Sequence, residues 1–362
     1  MIIGAGMFGI PFSFVRAGFW LGAAELALLG GVMWVIHLRY GEVVLETPSR
    51  HRLPGYVRLY LGRWASMLAW GSALFGIGGA LLAYVVVGGL FLDSLFATAA
   101  AQSSDTFWAV IFVAIGALIV FMPLRREALI NGLLTLALII FILGLSFFML
   151  PRLNPSHLAG LRLEEFFTPY GVVLFSLAGS TAIPEVISVL SGRRRPARRA
   201  ITAGSLIPVL IYFLFALALV GGLGQGVSEE AIRGLAGFNG GGLVWLGSVV
   251  GLLAVLTSFV VLIIALRSLL HLDLGLGMGM ARALAVAIPL GLYLLGLQNF
   301  ILIIGLVGVV SVGIDSALIV AAYNRMRERR GYSLPWCAYI FEGGVWSAVA
   351  AGIIAHFYKL LI

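Results

Sequence analysis

The sequence predicts an all-α membrane protein of about eleven spanning helices: two inverted five-helix repeats, the first and sixth helices broken, plus one extra carboxyl-terminal helix. Three observations predict it. Of 362 residues, 61% are hydrophobic and 10% charged, where a soluble domain carries about 45–50% and about 25%. The arginines come in bursts at alternate loops. A cluster bearing glycine and proline occurs twice, five spans apart.

A water-soluble monomer is excluded by that composition, and disorder by 12% aromatic residues and a mean hydropathy of +1.09. The net charge of +8 lies in short runs between apolar stretches, which argues against a nucleic-acid partner and for a bilayer. A single cysteine, Cys337, makes no internal disulfide.

A crossing needs about 20 apolar residues. In order, the spans read Ile2–Val15, Trp20–Val44, Trp64–Leu92, Phe107–Met122, Leu129–Leu150, Phe166–Leu190, Ile201–Leu223, Leu243–Leu270, Ala283–Leu297, Phe300–Tyr323 and Trp336–Leu361. The first is too short for a full crossing, so it is either an incomplete helix or one whose true start lies upstream of Met1. It lacks the basic run and cleavage site of a signal peptide. Residues 1–150 form the first repeat, 166–325 the second, and 336–362 the eleventh helix. Between the second and third spans, Leu53–Gly62 reads as an amphipathic helix at the membrane surface.

One side of the membrane receives Arg50, Arg52, Arg58 and Arg63, then Arg125 and Arg126, then Arg193, Arg194, Arg195, Arg198 and Arg199, then Arg267 and Arg282, then Arg325, Arg327, Arg329 and Arg330. The other receives Arg16, Arg152, Arg162, Arg233 and Lys359. The positive-inside rule makes the arginine-rich side cytoplasmic, with the amino end inside and the carboxyl end outside a prokaryotic inner membrane.

Ala5-Gly6-Met7-Phe8-Gly9-Ile10-Pro11 and Ala178-Gly179-Ser180-Thr181-Ala182-Ile183-Pro184 share one pattern. An odd number of spans separates them, so the copies cross in opposite directions. Glycine and proline ease a helix interruption, and the freed N–H and carbonyl groups suit the two charged ends of a zwitterion. The competing reading is two kinks, or small-residue packing. Gly4, Gly6 and Gly9 also spell G-x-G-x-x-G with Glu25 downstream, but no strand can precede Gly4, so a dinucleotide site is rejected. Gly275, Gly277 and Gly279 fail the same test.

Ile2-Ile3-Gly4-Ala5-Gly6-Met7-Phe8-Gly9-Ile10-Pro11 resembles the first-helix signature of permeases in the amino acid/polyamine/organocation superfamily. The chain is most similar there to bacterial aromatic amino acid permeases and the amino acid/auxin permease branch. Tyr40-Gly41-Glu42-Val43, Ala182-Ile183-Pro184-Glu185 and Thr257-Ser258-Phe259 add to the likeness. The resemblance implies a LeuT-type fold working by alternating access. It implies that backbone N–H groups of Gly4, Ala5 and Gly6 take the substrate carboxylate, and that carbonyls around Phe175, Ser176 and Gly179 take its ammonium, beside Ser180 and Thr181. Thr257 and Ser258, with the Ile3 carbonyl, match a sodium position of sodium-driven members. The motif's upstream residues, including a second carbonyl for that ion, are not supplied by this chain, and the lysine on the fifth helix of some proton-driven relatives is absent.

The intramembrane polar residues leave alternatives open. Thr257 and Ser258 hold an ion or bond their own backbone. Glu185 carries a coupling proton or pairs with an arginine of 193–199; Asp315 gates or couples, or packs with Asn324. Tyr84 and Phe259 are walls of the substrate pocket, or core. Glu42 and Glu46 are expected to pair with Arg39. The histidines show no metal spacing, and no nucleophile, base and oxyanion set is visible, so no enzyme and no cofactor is expected beyond a coupling ion. The expected function is sodium- or proton-coupled import of a small neutral amino acid, aromatic and hydrophobic ones included. The rival is a non-transporting sensor of the same fold.

Overall fold

A computed structural model of the protein describes residues 3–49, 51–96, 105–120, 127–237, 241–272, 275–333 and 335–361. Arg50, Arg125 and Arg126 of the sidedness argument lie outside them. Among the described residues, eight helices are long and apolar enough to cross a membrane, and two shorter apolar ones accompany them.

The chain enters through α1 (Gly6–Ala17), turns at Gly18 and returns through α2 (Phe19–Glu46). Gly18 has φ of +102° and lies so close to the Gly160 carbonyl that a β-carbon would stand 2.4 Å from its oxygen, so only glycine fits this turn. The amphipathic α3 (Leu53–Leu61) follows as expected, with Tyr56 and Val57 buried against α4 (Arg63–Phe96) and Arg58 at its end. Then come α5 (Asp105–Val120) and α6 (Glu127–Met149). The sixth expected span divides into α7 (Phe167–Ser176) and α8 (Ile183–Val189). Beyond it run α9 (Arg194–Leu223), α10 (Gly242–Leu272) and α11 (Met278–Leu294). The tenth expected span is α12 (Phe300–Val307), a π-helical turn at Gly308–Val312 and α13 (Gly313–Arg329), and α14 (Trp336–Leu361) ends the chain.

Nearly uniform apolarity makes these helices, because inside a bilayer each backbone group must bond within its own segment. Their packing is more selective than their composition. Helix α1 lies on α7, α2 on α9 and α4 on α10, and each pair joins spans five apart in the expected order.

The two ends of the bundle differ. At the arginine-poor end, the loop after α9 is tied to the end of α4: Arg233 donates to the Leu90 carbonyl at 3.1 Å, Asp93 at 2.8 Å and the Ser94 hydroxyl at 3.0 Å. Arg16 pairs with Glu165 at 2.9 Å beside it. Arg233→Ala removes a charged hydrogen bond typically worth about 1.5–3 kcal/mol. Amide hydrogen exchange over residues 227–237 is therefore expected to accelerate roughly tenfold or more, and unchanged exchange would rule out this tie. At the arginine-rich end a cavity of about 670 Å³ opens between α2, α3, α4, α8, α10 and α13. Among the described residues, one end is thus tied together by ion pairs and the other opens into a cavity.

Ion pairs at the open end depart from the sequence expectation. Glu46 pairs with Arg194 and Arg330, not Arg39. The Arg39 guanidinium instead lies over the rings of Phe341 and Tyr323, 4.4 and 5.3 Å from their centroids. Tyr323 of α13 and Phe341 of α14 supply these faces, and Glu42 and Glu342 lie within electrostatic reach of the same guanidinium.

Candidate functional site

The interruption in the sixth span is local and well defined. Helix α7 ends at Ser176, Leu177–Gly179 are non-helical, Ser180–Ala182 make one 3-10 turn, and α8 begins at Ile183 with Pro184 in its first turn, where a missing N–H costs nothing. The first cluster behaves differently. Its non-helical part is Ile3–Ala5, and the helix then runs through Gly6, Gly9 and Pro11 without a break. The expected interruption within Ala5–Pro11 is thus shifted to the cluster's leading edge. The N–H groups of Gly4, Ala5 and Gly6 precede the first closed turn, where a helix has no acceptor for them.

The two interruptions meet. A β-carbon on Gly6 would stand 2.7 Å from the Ser176 hydroxyl, 2.8 Å from the Phe175 ring and 3.0 Å from the Ser176 α-carbon, so the start of α1 touches the end of α7 backbone to backbone. Gly4 lies 3.8 Å, on the same measure, from the Tyr84 hydroxyl. Tyr84 in turn lies within electrostatic reach of the Ser258 hydroxyl of α10. Donors at the start of one half-helix and carbonyls at the end of another therefore face a common point, with a hydroxyl pair on α4 and α10 beside it.

The α7 carbonyls are each used once. Phe175 O accepts from Ala178 N at 3.2 Å, Gly179 O from Ala182 N at 3.1 Å, and Ser176 O from the buried Tyr212 hydroxyl of α9 at 3.2 Å. Each keeps a second lone pair. The Ser176 hydroxyl is spent on the Val172 carbonyl of its own helix at 2.7 Å.

Below this point lies the blind end of the cavity. Ser180, Thr181, Glu185 and Asp315 line it, beside Trp70 and Ile77. Glu185 is exposed in the cavity wall and has no ion pair among those described; of the arginines at 193–199 that were its alternative partners, Arg194 is turned to Glu46. Asp315 does not pack with Asn324, whose amide donates to Glu342 at 2.7 Å. It accepts instead from the Ser72 hydroxyl of α4 at 2.8 Å. The Ser311 hydroxyl donates to the Ser72 carbonyl at 3.0 Å, and the Ser311 carbonyl lies 3.1 Å from the Ser72 hydroxyl, whose single proton serves the shorter contact to Asp315. The π turn places Ser311 and Asp315 on the same side of the tenth span, and such turns recur at functional sites.

Phe259 does not line the described cavity. It is fully buried between α10 and α5, its ring 5.0 Å from that of Phe112 and against Gly116, because its face of α10 turns away from the cavity. Thr257 donates to the carbonyls of Leu253 and Ala254 in its own helix, both at 3.1 Å. Its neighbour Ser258 is turned to Tyr84, and Ile3 packs against the apolar core. Among the described residues no three His, Cys, Asp or Glu side chains gather as a metal site.

Sequence reasoning missed Tyr212, Ser72, Ser311 and Trp70. Tyr212 had a signal, being the single tyrosine in its span, whereas the serines look like routine small-residue packing until two helices are seen together.

Several solved structures share this fold. Mhp1, a nucleobase-cation-symport-1 family transporter in a closed conformation with bromovinylhydantoin bound, is similar with a TM-score of 0.67 and 13% identity, over 98% of this chain and 88% of that one. A manganese transporter variant from Eremococcus coleocola gives 0.64 and 12%, over 99% and 83%. MhsT in complex with L-phenylalanine gives 0.58 and 15%, over 99% and 95%. These likenesses show the fold, which is that of the LeuT-type transporters. No curated protein matches the sequence. The tryptophan/tyrosine permease family does match, over residues 1–321. With its multi-pass helices and transporter architecture, the protein is a secondary transporter of a small molecule rather than an enzyme, and it belongs to the tryptophan/tyrosine permease family.

Proposed function

We propose that this protein imports a neutral amino acid with an aromatic side chain by alternating access, driven by a sodium or proton gradient across a prokaryotic inner membrane. The observation that carries the reading is the meeting of Gly6 with Phe175 and Ser176 above the cavity. Free N–H groups there suit a carboxylate, second lone pairs of the Phe175, Ser176 and Gly179 carbonyls suit an ammonium, and Tyr84 stands beside both. The family name and the phenylalanine in MhsT support the side-chain class.

In this reading residues 1–150 and 166–325 are inverted repeats and 336–362 stands outside them. The pairing of α1 with α7, α2 with α9 and α4 with α10 supports that division. The arginine-rich side is cytoplasmic, so the cavity is the exit vestibule, the amino end lies inside and the carboxyl end outside. Ile3, Thr257 and Ser258 are the sodium candidates. A hydroxyl whose proton is given to its own backbone, as in Thr257, still offers lone pairs to a cation. Glu185 and Asp315 are the candidates for coupling or gating.

Counterflow of labelled tryptophan, tyrosine and phenylalanine in proteoliposomes tests the reading. Exchange is expected for at least one of them; binding without exchange would make the protein a sensor instead. Sodium and pH gradients imposed separately identify the driving ion. Where sodium drives, Thr257→Ala is expected to remove the sodium-dependent part of uptake.

A further inference from the structure

Helix α2 buries an acid that no part of the mechanism above uses. Glu25 is 5% exposed, and neither carboxylate oxygen has a hydrogen-bond partner. It lies six residues into α2, about 9 Å along the axis from the closed, arginine-poor end. Glu25, Leu29, Met33, Ile36 and Tyr40 are all buried and follow one another at three- and four-residue spacing, a single stripe that ends at the cavity wall.

Among the described residues, the surroundings of Glu25 supply no counter-charge. On α7 the ionisable side chain within its electrostatic reach is Tyr170. From α1, Phe14 packs on Gly22, and Arg16 is turned to Glu165. From α9 come Val209 against Gly30 and Phe213 against Phe19. From α13, Ser316 meets the Met33 sulfur, and α8 meets α2 at Gly41, near its other end. Behind Tyr170, α14 brings His356, whose Nδ1 faces the Gly352 carbonyl. An ionised carboxylate here would be desolvated and unpaired, a state that membrane interiors strongly disfavour. A metal cation fits no better, because two oxygens amid apolar side chains make no coordination shell.

We infer that Glu25 is a proton-binding site, loaded from the arginine-poor side, and that the conformer open at the arginine-rich end forms only while its carboxyl is in the acid form. The inference rests on the transport reading and adds to it a place for the coupling proton. Opening the arginine-poor end brings water within reach of Glu25 and lets it ionise; closing that end through Arg233–Asp93 and Arg16–Glu165 requires the proton back. By linkage, ionisation holds the protein open on that side, so turnover is lost as pH there rises.

The test is exchange of labelled tryptophan in proteoliposomes of the full chain at varied pH on the arginine-poor side. Wild-type exchange is expected to fall about tenfold per pH unit once Glu25 titrates. Glu25→Gln is expected to keep exchange, lose its pH dependence and lose accumulation driven by a pH gradient, while Glu25→Asp keeps a pH dependence. A Glu25→Gln protein with the wild-type pH response overturns the proposal and leaves the transport reading standing. Absence of exchange by the wild type with every aromatic amino acid sinks the transport reading instead. In that case, or if Glu25→Gln fails to insert, a lipophilic carbodiimide, which attacks protonated carboxyls, decides on wild-type protein. Modification of Glu25 that fades with rising pH supports the site, and its absence at every pH refutes it.

Discussion

Gly308→Ala is expected to abolish uptake. The added β-carbon would stand 2.0 Å from the Gly171 carbonyl oxygen and 2.8 Å from the Phe175 nitrogen, and both are backbone atoms with no rotamer to yield. Gly171 and Gly305 approach as closely, 2.5 Å from a β-carbon on Gly171 to the Gly305 carbonyl oxygen, so the π turn and α7 cross at a seam of three glycines. Overpacking costs about 1–3 kcal/mol even where side chains can shift. Here α7 itself must move, and the Phe175–Ser176 end that meets Gly6 moves with it. Uptake should fall below detection, with a lowered Tm, while the chain still inserts. Gly144→Ala on α6 is the control, since nothing lies within 4 Å of a β-carbon there and the helix gains propensity. Equal behaviour of the two variants would mean that the glycine seam does not position the site.

Asp315→Ala is expected to reduce uptake by roughly tenfold or more. The Ser72 hydroxyl donates to Asp315 at the cavity wall, and this charged hydrogen bond ties α4 to the tenth span directly after the π turn. Bonds to charged groups contribute about 1.5–3 kcal/mol, and about 1.4 kcal/mol is a tenfold change in an equilibrium. A bond made in one conformer only shifts the balance between conformers by that amount. Ser72→Ala removes the same bond from the other partner, so its effect should match. The double variant should be no worse than either single one. Additive losses would show that the two residues act separately.

Membrane class, span order and the interruption of the sixth span were legible in the sequence, because each rests on local chemistry. A bilayer tolerates long apolar runs, arginine bursts mark one face, and glycine with proline marks the points where a helix can part. The clusters at Ala5–Pro11 and Ala178–Pro184 led directly to the pair of segments that meet at Gly6 and Ser176. The direction in which side chains point was not legible. Spans apolar on every side carry little periodicity, so nothing in Thr257-Ser258-Phe259 distinguishes the hydroxyl facing Tyr84 from the ring packed on Phe112. Partner choice was hidden for the same reason. Glu46 meets Arg194 and Arg330, and Asp315 meets Ser72, across hundreds of residues of chain brought together by helix crossing alone. Composition thus determined what this protein is made of and where its helices part. Tertiary packing decided which polar groups face one another, because in a bilayer that pairing is set by the contact geometry of whole helices rather than by their neighbours in sequence.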